Sequence, residues 1–393
     1  MLNKLLNVTS KPERIGIGIM SGTSVDGVDV AIVSVKGSGE KLTYRQLAFD
    51  TVEIPQALRR KIFNQFNLVE SSVDKLCSLN FELGQLFALA ARSVVENAGL
   101  RMEDIDFIGS HGQTIYHIPV DQSDLGLVKS TMQIGEASVL AEMFQCPVVS
   151  DFRVRDMAVG GEGAPLVPYV DHLLFRSDTE NIALQNIGGI GNVTYLPRGG
   201  SASDVIAFDT GPGNMIMDEA MNILTQGKFL FDENGEMAAE GTVHHEILKE
   251  LMAHPYFTLP VPKSTGRELF GAAFTRKLVD RMVEMGLSSA DILATVTMFT
   301  ALTIVDQTER FLPGEIDTLV VSGGGAYNAT LLGFLKELGS FAVKTQEDLG
   351  FSSESKEAVA FALLANETMF GLPNNVPSAT GAAKQVVLGK LTI

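Results

Sequence analysis

The sequence predicts an α/β protein in which one unit, ordered βββαβαβα, occurs twice and forms two lobes about a central cleft. Two observations carry this. Residues 15–35 read as two apolar, β-branched-rich runs joined by a short loop of Gly and small polar residues, and residues 182–196 repeat that strand–Gly loop–strand pattern. After each opening the same order of strands and helices follows, as expected of a duplicated chain. The lobes are expected at 1–178 plus 372–393 and at 179–371, with the ligand held in the cleft.

In the first lobe a third strand is expected over 42–52. Apolar residues read as helically spaced (Leu76, Leu79, Phe81, Leu83, Leu86, Leu89, Val94) predict a long helix over 73–98. A short buried strand over 105–109 should end in Ser110, His111, Gly112, Gln113 and Thr114. A helix over 136–144, a strand over 147–150 and a helix over 165–175 complete the lobe. In the second lobe, strands at 182–185, 193–196 and 205–208 precede helices at 241–253, 267–285 and 289–311. A strand at 318–321, a strand at 341–344 and a helix at 356–370 follow.

The chain has 393 residues, 45% of them apolar and 20% charged, the composition of an ordinary globular protein with room for two cores. Its first residues have no apolar stretch of signal-peptide length, and no run approaches a membrane span, so a cytoplasmic protein with no membrane partner is expected. Cys77 and Cys146 are far apart and read as inert thiols. A net charge of −17 argues against a nucleic-acid partner and makes any cation beside a Gly-rich loop informative.

Three Gly-rich loops need one explanation. Gly22, Thr23, Ser24, Val25, Asp26, Gly27, Val28 and Asp29 make the first; Gly22 and Gly27 let backbone approach a ligand, and Asp26 and Asp29 stand where a cation would bridge. The second comprises Gly188, Gly189 and Asn192, with Asp209, Gly211, Gly213 and Asn214 opening a helix whose positive end favours anions. The third, Gly323, Gly324, Gly325 and Asn328, leaves room for a flat base. Phosphates gripped from both lobes fit all three, whereas glycine as mere punctuation explains any one of them alone.

These stretches resemble the superfamily of sugar kinases, actin and the seventy-kilodalton chaperones, and more closely the anhydro-N-acetylmuramic acid kinase family. The matching strings are MSGTSVDGVD (20–29), GSHGQT (109–114), QIGE (133–136), SDFRVRDMAVGGEGAPLVP (150–168), NIGGIGNVTYL (186–196), FDTGPGN (208–214) and SGGGAYN (322–328). The resemblance implies an actin-like ATPase fold and an enzyme of cell-wall recycling. With ATP and water it would open the anhydro bridge of the sugar and phosphorylate O6. It further implies that residues 22–29 bind ATP, that Asp156 is the catalytic base, and that the partners are a small sugar and ATP, with a homodimer expected. Val154 and Glu162 depart from the family pattern, and the run before Glu357 lacks a common Pro-Asp.

From the residues themselves, phosphoryl transfer needs positioning and charge neutralisation. A carboxylate is also needed to take a proton from the water that attacks the anomeric carbon, as in half of an inverting glycosidase. Asp156 is the expected base, because its segment is read as joining the lobes; a salt-bridge role with Arg153 or Arg155 is the alternative, and Asp151 is the rival base. Gln113, Thr114, Gly163, Ala164 and Pro165 are the expected sugar contacts, and the family resemblance implies Glu357 as another. His111 is expected to be structural. Mg²⁺ is expected with ATP, near Asp26 or Asp209 through water. A kinase of another anhydrosugar such as levoglucosan, and a nucleotide-gated scaffold, remain open.

Overall fold

β1 (Glu13–Ser21) and β2 (Gly27–Lys36) are the antiparallel pair expected from residues 15–35, in register from Glu13↔Lys36 to Met20↔Asp29. This computed structural model describes residues 2–22 and 24–393, and nothing is described of the Leu2 side chain. The apolar runs of both strands are near-continuous because both faces of their sheet are covered. β3 (Thr43–Glu53) adds antiparallel to β2, and β4 (Phe107–Ile118) adds parallel to β1. β5 (Ser130–Ile134) pairs with the far half of β4, and β6 (Val148–Ser150) runs parallel to its near half. The path is therefore β6-β4-β1-β2-β3, with the strand Lys390–Thr392 antiparallel on the β6 edge.

The helix Val73–Asn97 covers one face, burying Leu79, Leu83, Phe87 and Val94 at helical spacing. Each such side chain contributes roughly 1.5–3 kcal/mol. On the other face the helix Lys356–Met369 lies against bare backbone. Gly18 and Gly109 are register partners on β1 and β4; a Cβ on Gly18 would stand 1.7 Å from the Ala358 carbonyl oxygen, and one on Gly109 2.1 Å from that of Phe361. Glycine inside these strands is thus what admits the helix.

The second unit repeats the plan. β7 (Ile182–Ile187), β8 (Ile190–Leu196) and β9 (Ile206–Pro212) are successive antiparallel neighbours, and β10 (Thr318–Ser322) and β11 (Ala342–Thr345) add parallel beyond β7. The path β11-β10-β7-β8-β9 matches β6-β4-β1-β2-β3 strand for strand and sense for sense. The duplicated α/β fold expected from element order is present in hydrogen-bond topology. The core of this unit is organised on the helix Ser289–Phe311, whose capping box joins Ser288 and Asp291. That helix is long and apolar enough to cross a membrane, yet 72% of its apolar window is buried inside the protein.

Contacts divide the chain into Met1–Leu174 with Glu354–Ile393, and Phe175–Ser353. The helix Lys356–Met369, placed by sequence with the second lobe, belongs to the first, because its small residues seat it on Gly18 and Gly109. Other differences are local. The strand expected at 105–109 runs on to Ile118, so Gln113 and Thr114 lie inside β4 and not beyond its end. Asp209–Pro212 finish β9 where a loop was expected. The helix expected at 267–285 breaks at Gly271, where a Cβ would stand 2.2 Å from the Arg267 carbonyl oxygen. The helices Leu2–Ser10, Gln56–Phe66 and Phe152–Ala158, and β5, lack a counterpart in the sequence reading.

Candidate functional site

In the first unit the β1–β2 loop is held from beneath. Gln113 is fully buried; its Nε2 donates to the Gly22 carbonyl oxygen at 3.2 Å and its Oε1 accepts from Ser21 Oγ at 2.8 Å. Expected as a sugar donor, Gln113 is a strut for the loop, and Thr114 Oγ1 is taken by Gln133 Nε2 at 3.1 Å. The Gly22 carbonyl also accepts the Val25 N–H, while Val25 and Val28 bury their side chains in the core and offer a ligand only backbone. Ser24 is exposed and Gly27 half-buried at the turn. Thr23 lies outside the described residues. Asp26 is exposed and ion-paired with Arg59 at 2.6 Å. Asp29 accepts from Thr51 Oγ1 at 2.7 Å, and burial pushes its carboxyl up.

Asp156 sits in the helix Phe152–Ala158, wholly inside the first unit and not on a segment joining two units. It has no exposed surface. Its Oδ1 accepts from Asn375 Nδ2 at 2.7 Å and from Thr380 Oγ1 at 2.8 Å, and its Oδ2 accepts the Gly163 N–H at 2.9 Å. With both oxygens engaged and no exposed surface, this carboxylate staples the Gly160–Pro165 loop to the segment 375–380. Asp151, the rival, is ion-paired with Lys390 at 2.7 Å.

A different group presents itself beside that loop. Arg153 donates from Nε to His111 Nε2 at 3.0 Å and from Nη1 to the Gly163 carbonyl oxygen at 2.8 Å. Because Nε2 accepts, the imidazole proton is assigned to Nδ1, which lies 2.8 Å from the Gly112 carbonyl oxygen. Burial, then the Arg153 charge, pushes His111 down to about 3, so it is neutral and acts as an acceptor. Arg153 is itself lowered by burial and supported by Glu357. Glu357 is reached by solvent yet closely surrounded by protein, as at the floor of a hollow; burial raises its carboxyl and Arg153 opposes the rise. Ala164 and Pro165 continue the loop through a cis peptide, half-buried and exposed respectively.

In the second unit the glycine loops meet. Gly188 and Gly189 turn the β7–β8 hairpin, and their carbonyl oxygens receive the N–H groups of Asn214 at 2.7 Å and Gly213 at 2.9 Å. The start of the helix Asn214–Leu224 is therefore capped by the hairpin, and those N–H groups are not free for phosphate as expected. A Cβ on Gly213 would stand 2.3 Å from the Gly188 carbonyl oxygen. Gly211, at φ +142 in β9, lies against Phe257. Gly323, at φ +77, approaches Asn186 and Ile187; Gly324 is exposed beside Asn214; Gly325 packs on Ile187. Asn328 caps the helix Ala329–Leu338 by accepting the Leu331 N–H at 2.9 Å, which gives it a structural task.

Register then aligns a polar row across four strands: Ser322 pairs with Asn186, Asn186 with Asn192, and Asn192 with Asp209. Asp209 is fixed on three sides. Its N–H donates to the Lys263 carbonyl oxygen, its carbonyl oxygen accepts from the Tyr256 hydroxyl at 2.6 Å, and its Oδ2 accepts the Thr265 N–H at 2.9 Å. Oδ1 meets no donor among the described residues. Burial lifts the carboxyl to about 6 against the pull of that single N–H, the range a base at neutral pH requires. Lys263 stands over the rings of Tyr256 and Phe311 and is pushed down to about 8 by burial. Tyr256, Lys263 and Thr265 are support that sequence reasoning missed, since no local pattern ties them to the loops; His111 has the structural role expected of it. Among the described residues no three His, Cys, Asp or Glu side chains converge as a metal cage.

The family model described as anhydro-N-acetylmuramic acid kinase matches residues 14–393. A protein of that name from Caldanaerobacter subterraneus subsp. tengcongensis is 49% identical over 100% of both chains. Proteins so named from Bacillus cereus and Clostridioides difficile are 48% and 46% identical, over 95% and 96% of this chain and 98% and 97% of theirs. Among solved structures, the (R)-2-hydroxyglutaryl-CoA dehydratase component A of Acidaminococcus fermentans is 15% identical, with a TM-score of 0.46 over 91% of this chain and 99% of its own. A ROK-family glucokinase from Streptomyces griseus, in complex with glucose and AMPPNP, is 11% identical, with a TM-score of 0.38 over 90% and 99%.

Proposed function

The chain belongs to the anhydro-N-acetylmuramic acid kinase family, and from that premise we propose that it uses ATP and water to open the 1,6-anhydro bridge of anhydro-N-acetylmuramic acid and phosphorylate O6. The products are N-acetylmuramic acid 6-phosphate and ADP, in cell-wall recycling in the cytoplasm. The base on this reading is Asp209 and not Asp156. The observation that carries it is the Asp209 carboxylate: oriented by Thr265, with Oδ1 free and its proton affinity lifted to about 6. Asp156, buried and triply bonded, holds the loop that holds Arg153.

Asp209 takes the proton as water adds to the anomeric carbon; the C1–O6 bond breaks and O6 receives the γ-phosphoryl group. Arg153 supplies the cation for the sugar's carboxylate, with Glu357 beside it as an acceptor for hydroxyl or amide donors. Backbone at Gly22–Asp29, Gly188–Gly189 and Gly323–Gly325 receives the nucleotide. Mg²⁺ would neutralise phosphate charge; with Asp26 tied to Arg59 and no protein cage among the described residues, its ligands would be phosphate oxygens and water.

The test compares two variants with wild type in ¹⁸O-labelled water. Wild-type product should carry label at the anomeric hydroxyl and none in the O6–phosphate bond. Asp209→Asn should bind ATP and sugar yet lose about 10²–10⁴-fold in kcat, the usual cost of a missing general base. If Asp156→Asn, shown folded, loses that much while Asp209→Asn keeps near-normal turnover, the base is Asp156 after all.

A further inference from the structure

One cavity of about 510 Å³ lies wholly in the first unit, apart from the groups assigned above to base and nucleotide. The first turns of the helix Val73–Asn97 supply Val73, Leu76 and Cys77; Met132 and Ile134 come from β5. Its floor is polar. Ser110 is 1% exposed, and its hydroxyl has no hydrogen-bond partner; the buried Oε1 of Gln133 has none either. Strand alternation gives the direction of Ser110. Its neighbour Gly109 faces the helix Lys356–Met369, so Ser110 faces the opposite side, toward the helix Val73–Asn97.

Two buried polar atoms without partners each cost about 1–3 kcal/mol unless a ligand or solvent meets them. The charge around them selects what that ligand is. Glu136 and Asp151 line the cavity, and its cation, Lys390, is already neutralised by Asp151 at 2.7 Å. His111, also in the wall, is neutral. An anion is therefore disfavoured, while the Gln133 oxygen asks for a donor and the Ser110 hydroxyl accepts or donates. Val73, Leu76, Met132 and Ile134 add an apolar wall, and the volume suits a small molecule.

We propose that this cavity is a second small-molecule site, for a neutral ligand that sets an amide or hydroxyl donor beside an apolar group, the chemistry of an acetamido sugar. Its occupant sits against Asp151, which opens the helix Phe152–Ala158 that carries Arg153, so filling it alters sugar turnover without entering the reacting site. The proposal goes beyond the kinase reading and stands without it.

Cys77 provides a readout that needs no activity. It is exposed and lines the cavity, whereas the other cysteine, Cys146, is buried and its thiol is pushed up to about 12. Iodoacetamide should therefore modify Cys77 selectively. With N-acetylglucosamine as the probe at about ten times its dissociation constant, alkylation should slow roughly tenfold. In Met132→Trp, which fills the exposed rim, and in Ser110→Val, that protection should vanish. Met132→Trp secures the result should Ser110→Val fail to fold. The same probe should act non-competitively toward the anhydrosugar in the kinase assay. Unchanged alkylation up to high millimolar probe overturns the proposal. Protection accompanied by strictly competitive inhibition overturns it as well, since the cavity would then belong to the reacting sugar.

Discussion

Two aspartates divide the chemistry and the architecture between them. Asp209 pays for its function in stability: its carboxyl binds a proton more tightly folded than unfolded, so stability falls as pH rises from about 3.8 to about 6 and stays reduced above. Asp209→Asn should melt higher than wild type at pH 7, by at most about 3 kcal/mol at roughly 1.36 kcal/mol per pH unit, and equally with it near pH 3. A calorimetric pH series checks this. Log kcat/KM of the wild type should fall with unit slope below about pH 6, as the base protonates. Asp156→Asn is expected to do the reverse, losing about 1–3 kcal/mol because an amide cannot accept from all three donors. Asp209 was legible as a loop residue of FDTGPGN, but its tuning was not: Tyr256, Lys263 and Thr265 reach it only through the tertiary fold.

At the scale of elements, periodicity was a good guide where one face is apolar over many turns. The helix Ser289–Phe311 was expected over those same residues. Short pieces were not. β5 alternates poorly, and Phe152–Ala158 spans seven residues, too few for a period to declare itself. Glycines misled in the other direction, since several read as ligand approaches are packing contacts. Gly18→Ala and Gly109→Ala should each destabilise by about 1–3 kcal/mol or more, through collision with the helix Lys356–Met369. Denaturant titration measures it, and a loss under 0.5 kcal/mol would refute that contact. Gly213→Ala should lower the melting temperature together with ATP affinity, because it prises the β7–β8 hairpin from the helix Asn214–Leu224.

At the scale of the whole molecule, the duplication was visible in element order and matches in strand path; the return of the chain to the first unit was expected as well, but at 372, whereas contacts place it at Glu354. Helix 356–370 follows the second unit in sequence, and nothing in its composition announces that Gly18 and Gly109 await it. Residues 175–353, expressed alone, should fold cooperatively on their own core, while residues 1–174 alone should not, lacking the cover of one sheet face. Circular dichroism melts of the two fragments distinguish these outcomes. The discontinuity also sets an order of events on the ribosome. Unit 2 is complete in the nascent chain while β1 and β4 still present a bare glycine floor, and that floor stays open until the residues after Ser353 have been translated. Vectorial synthesis thus leaves the N-terminal half waiting on the C-terminal one, so arrested nascent chains of about 350 residues should recruit holdase chaperones that released full-length chains do not.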